Sequence, residues 1–186
     1  METKKASPSV PAIKWALISL IASIIITYAF QFLNLDINSK IRWVNYLVFI
    51  AFLCLTQKEY RDQLGGYMTF GEGFLSGFLY SVFLGALTAV FTYIYFAILS
   101  PDMISKILAA SEAKLSSDGL SPEQKDQAMS MTSKFVTAPV MAVFGFVGSL
   151  IMGAIVALIG AAIFKKERSP FDVPGYNDPQ PSDSTV

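Results

Sequence analysis

No acidic or basic residue lies between Glu72 and Asp102. A stretch this long without charge reads as a helix that crosses a membrane, not as the core helix of a soluble domain. At 1.5 Å per residue, a helix over residues 70–99 is about 45 Å long. It exceeds the hydrocarbon core, of about 30 Å, and must tilt or project beyond it. Small residues recur in it at every fourth place: Gly73, Gly77, Ser81, Gly85 and Ala89. A second uncharged stretch, residues 139–164, repeats the device with Gly145, Ser149, Gly153, Ala157 and Ala161.

Two further apolar runs precede these, over residues 13–33 and 41–57. The first carries Lys14 near its start and is long enough to span. A cleaved signal peptide is the alternative, but the run exceeds a usual apolar signal core, and Thr27-Tyr28-Ala29 makes a poor cleavage site. The second is the shortest, with Arg42 near its start and Trp43 and Tyr46 suited to an interface. The charged segment from Lys58 to Gly66 ends in a Gly-Gly pair and reads as a connection. Residues 1–12 and 169–186 are polar and proline-bearing, and are expected to be disordered. The carboxyl-terminal Ser184-Thr-Val186 matches the pattern of a strand-addition ligand, one too short to carry weight.

The polar segment over residues 100–137 holds two helix starts, Ser100-Pro101-Asp102 and Ser121-Pro122-Glu123. Ser116-Ser-Asp-Gly119 makes a turn between them. The expected fold is therefore all-α: a polytopic membrane helix bundle with four transmembrane helices, and an extramembrane helical hairpin between the third and fourth.

Thr69 and Glu72 form a capping-box pattern at the start of the third span. This reads Glu72 as a helix cap stabilised by the helix dipole, in preference to a proton or ion site. The small-residue rows read as packing faces. Apolar burial gives helices little reason to associate in lipid, whereas close backbone approach through Gly, Ala and Ser supplies dispersion. A strict spacing of four drifts about 40° per step, which suits helices that cross. The expected pairing is third span on fourth, with homo-oligomer contact as the rival use.

Chemistry is constrained by what is missing. The chain has 186 residues, 53% of them hydrophobic, and no histidine. The commonest general base and metal ligand are thereby removed. The single cysteine, Cys54, sits in an apolar run and reads as a small buried hydrophobe. Ser149 has no neighbouring base in sequence to activate it. The span interiors offer uncharged polar groups such as Asn45, Ser81, Thr88, Thr92 and Ser149, expected to line a path only if several chains assemble. We assign no catalytic, cofactor-binding or metal-binding residue. Fourteen basic and fourteen acidic residues cancel, and no basic patch with interleaved aromatics points to nucleic acid.

With four spans both termini share a side. That side holds eight basic residues: Lys4, Lys5, Lys14, Lys58, Arg61, Lys165, Lys166 and Arg168. The opposite side holds six, four of them in the long polar segment. The excess places both termini in the cytoplasm.

Several short motifs now acquire meaning together. Gly66-Tyr67 with Thr69-Phe-Gly-Glu72-Gly73-Phe74, then Tyr93-Ile-Tyr95 and Pro101-Asp102, stand in a particular order with three others: Gln127-Ala-Met129, Phe144-Gly145-Phe146-Val-Gly148-Ser149-Leu150, and Ala162-Ile-Phe164-Lys165-Lys166-Glu167. Over about residues 10–168, this order resembles a bacterial membrane-protein family catalogued as domain of unknown function 4199. The resemblance implies an integral inner-membrane protein and brings no activity with it. The expected partners are the lipid bilayer and either a second copy or another membrane protein. The expected role is a non-enzymatic assembly or accessory subunit, with a small transporter or channel component as the alternative.

Overall fold

The computed structural model describes residues 6–33 and 40–167. The expected disordered tail 169–186, the first residues of the amino-terminal stretch, the turn at 34–39 and Arg168 lie outside the described residues. Among the described residues the chain forms six α-helices and no strand. These are α1 (Ser9–Phe32), α2 (Lys40–Gln63), α3 (Phe70–Ile94), α4 (Asp102–Ser117), α5 (Pro122–Phe135) and α6 (Ala138–Phe164).

Three of them are long and apolar enough to cross a membrane: α1, α3 with its continuation to Leu99, and α6. Helix α2 is not among them; its last turns carry Lys58, Glu59, Arg61 and Asp62.

Two boundaries depart from expectation. Helix α1 begins at Ser9, so the expected disordered stretch 1–12 gives way to helix at its end. Pro11 sits in the first turn, where its missing N–H costs nothing, and Ala12 is buried. Helix α2 continues through the charged segment that reads as a connection. Two of those charges meet groups on other helices. Glu59 accepts from Lys14 and from Trp15 Nε1, the latter at 2.7 Å, and the Arg61 guanidinium lies over the Phe164 ring. The helix stops where Gly65 and Gly66 take φ of +78° and +87°, a conformation that costs glycine little.

Helix α3 opens with the capping box. The Thr69 hydroxyl accepts from Glu72 N–H at 3.3 Å, and the Glu72 carboxylate accepts from Thr69 N–H at 2.9 Å. Helix α5 opens with the equivalent Ser121 and Gln124 pair. Helix α4 differs: Pro101 occupies its cap position, and the Ser100 side chain makes no cap bond. At its far end α3 widens into a single π-turn over residues 95–99, closed by Ser100 N–H donating to the Tyr95 carbonyl at 2.8 Å.

Helix α3 is the centre of the bundle. It packs most extensively on α6 and also on α1 and α2, while α4 and α5 pack on each other. Residues 66–68 and 165–167 are tied by paired Met68 and Lys166 backbone bonds, both 2.9 Å. The loop before α3 is thereby fixed to the end of α6.

The polarity of the bundle is inverted. Large apolar residues face outward, among them Ile21, Ile25, Leu75, Val90, Ile151, Ile155 and Ile159. Small and hydroxylated residues face inward, including Ala12, Ala16, Ser19, Ser76, Ser81 and Ala157. Exposed apolar surface on this scale suits lipid and not water.

Candidate functional site

The two small-residue rows meet in antiparallel register. A Cβ built on Gly73 would lie 3.2 Å from Ala161 Cα, and one on Gly77 would lie 2.9 Å from Ala157 Cβ. A Cβ on Gly153 would overlap the Ser81 side chain, and one on Gly85 would overlap Ser149 Oγ. Ser81 thus fills the gap left by Gly153, and Ser149 the gap left by Gly85. Ser149 Oγ donates to the Phe146 carbonyl at 2.8 Å and lies 3.4 Å from the Ser81 carbonyl across the seam. Over these four pairs, from Gly73 to Gly85, the seam is about 18 Å long.

The fifth step comes apart. Ala89 is half-buried, Gly145 is exposed, and a Cβ on Gly145 would meet nothing within 4 Å. A row that drifts about 40° per step makes its helices cross, so their contact ends after a few turns.

Gln57 locks the closed half. Its side chain is fully buried where α2, α3 and α6 converge. Nε2 donates to the Gly73 carbonyl at 3.0 Å and to the Ala157 carbonyl at 2.9 Å. Oε1 has no hydrogen-bond partner among the described residues and rests against the bare Cα of Gly160, where a Cβ would overlap it. Sequence reasoning places Gln57 only as the end of an apolar run. The signal was its helical spacing with Leu53 and Tyr60, both buried on the same face of α2. Tyr80 is the second lock. Its hydroxyl donates to Ser19 Oγ at 2.9 Å, and its ring packs 5.6 Å from Phe49, joining α3 to α1 and α2.

Beyond the seam the helices enclose a cavity of about 720 Å³. It is lined from α1 by Ser19, Leu20, Ser23, Ile24, Thr27 and Tyr28, and from α2 by Asn45, Tyr46 and Phe49. From α3 come Leu84, Thr88, Phe91 and Thr92, with Tyr95 of the π-turn, and from α6 come Gly145, Gly148, Ser149 and Met152. Helices α1 and α6 share no extended contact, and Tyr28, Gly145, Gly148 and Met152 of the cavity lining are exposed. Four polar residues expected to line a path only across several chains, Asn45, Thr88, Thr92 and Ser149, line this cavity within one chain. Ser81 does not join them; it is spent in the seam.

Most of the wall is apolar, and its polar groups are neutral. Among the described lining residues there is no acid, lysine or arginine. The Thr27 hydroxyl is committed to the Ser23 carbonyl at 2.7 Å. Asn45 Oδ1, by contrast, is buried with no hydrogen-bond partner among the described residues.

An inverted helix bundle with a packed seam and a neutral cavity defines an integral membrane protein. The chain belongs to the family described as Protein of unknown function (DUF4199), whose model matches residues 14–166. No curated protein and no solved structure matches it.

Proposed function

We propose that this is an inner-membrane protein crossing the bilayer four times, through α1, α2, α3 and α6. In this reading both termini face the cytoplasm and α4 and α5 form an external hairpin. The course of α2 supports the fourth crossing. Lys14 pairs with Glu59 near one end of the α1–α2 pair, and Thr27 and Tyr28 face Asn45 and Tyr46 across the cavity near the other. Helix α2 therefore runs antiparallel to α1, and it turns Trp43, Leu47, Ile50 and Leu55 outward.

Its role in this reading is non-catalytic: an assembly or accessory subunit. The observation that carries it is the seam. Four of the five positions in each small-residue row, the strongest association surfaces in the sequence, are consumed within the chain, leaving the outward faces and the external hairpin to meet a partner. Met131 and Phe135 are exposed on that hairpin. Purification after mild solubilisation tests this. A stoichiometric membrane-protein partner is expected; a lone chain that conducts solute in liposomes would overturn it. The cavity favours that second reading, a small transporter or channel component, because its uncharged polar groups converge without a second chain.

A further inference from the structure

We propose that the cavity lined by α1, α2, α3 and α6 is a binding site for a neutral amphiphile: an uncharged molecule with an apolar body and a hydroxyl-bearing head. This goes beyond the accessory reading and does not rest on it. The volume, about 720 Å³, lies within the range of small-molecule sites. The body of such a molecule is matched by Leu20, Ile24, Leu84, Phe91 and Met152.

The head is matched by polar atoms with unspent capacity. Thr88 and Thr92 stand one helical turn apart on α3 and both face the cavity. Many of the helical hydroxyls nearby, such as Thr27 and Ser149, are spent on their own backbones. Thr88 and Thr92 hold no such bond among the described residues and are available to give and accept. A ligand hydroxyl satisfies both at once: it donates to one threonine and accepts from the other. A charged head is disfavoured, because the described lining offers no counter-charge, and an unpaired charge at membrane depth is costly. Entry is from the lipid, through the gap at Gly145 and Gly148, where added side chains meet open space.

The test uses the full chain in nanodiscs and a monoacylglycerol carrying a diazirine in its acyl chain. After illumination, adducts are mapped by mass spectrometry. Adducts are expected on residues 84–95 and 145–152, reduced by excess monoacylglycerol but not by fatty acid or phosphatidylcholine. Gly148→Leu, or Gly145→Leu on the same wall, should cut labelling about tenfold with unchanged melting, since a Cβ at either position meets nothing within 4 Å. Thr88→Val with Thr92→Val should weaken competition by monoacylglycerol. Adducts scattered over the outward faces would overturn the proposal. So would equal competition by fatty acid, which carries a charge, or by phosphatidylcholine, which would make the cavity a general acyl-chain crevice. Full labelling in both folded glycine variants would overturn it as well.

Discussion

Gln57 donates its side-chain amide to the Ala157 carbonyl, 100 residues away in the chain, at 2.9 Å. The same amide reaches Gly73 on α3. One neutral side chain thereby holds three helices where their backbones come closest. Only glycine and alanine allow this approach, and only a long neutral amide can then fill the junction without burying a charge.

Removing that amide loosens the closed half. Gln57→Ala should lower stability in detergent by about 1–2 kcal/mol, the scale of lost interhelical hydrogen bonds plus packing. Gly160→Ala should also destabilise, because its methyl group would overlap Gln57 Oε1. The two changes should be non-additive, with Gly160→Ala milder in the Gln57→Ala background. A double-mutant cycle from equilibrium unfolding in mixed micelles measures this, and strict additivity would refute the contact.

The seam and the cavity should respond oppositely to the same chemical change. Gly77→Leu and Gly153→Leu introduce side chains where the opposing helix already sits, and should cost at least about 1–3 kcal/mol, as overpacking does. Gly145→Leu should be neutral, or stabilising by up to about 1 kcal/mol through helix propensity. Thermal melting of the three variants side by side decides it. Unchanged melting of both seam variants would sink close packing.

Glu72 should behave as a cap. Thr69→Ala removes the oxygen that accepts from Glu72 N–H, and should cost about 1 kcal/mol. Glu72→Gln retains an acceptor for the Thr69 N–H and should be tolerated far better than Glu72→Ala. If Glu72→Gln were instead the damaging change, the carboxylate charge would carry a role beyond the cap. Stability and growth of cells dependent on the protein are the readouts.

The four-crossing topology has its own check. With Cys54 replaced, single cysteines at Ser117 and Ser182 should react with an impermeant maleimide from opposite sides of the membrane. Labelling from one side only would reject it.

Much of this architecture is local, and therefore legible. Uncharged length marks α3 and α6, the Thr69–Glu72 spacing marks a helix start, and Gly73-Gly77-Ser81-Gly85 marks a face. Each depends on residues within a turn or two of one another, or on the hydropathy of a single segment. The end of α2 was not legible in the same way. Lys58 to Asp62 read as a connection because charge argues against a span. The partners of Glu59 and Arg61 (Lys14, Trp15 and Phe164) come from other helices.

Read alone, then, the sequence determines which segments are helical, which of them suit lipid, and which faces are small enough to pack. Tertiary structure decides the register that sets Ser81 over Gly153 and Ser149 over Gly85, and the burial of Gln57 at a three-helix junction. It also decides that Ala89 and Gly145 part where Asn45 and Thr88 gather. The physical reason is that crossing helices touch over a limited length. Where contact begins and ends depends on the relative placement of segments far apart in the chain, which no local pattern encodes.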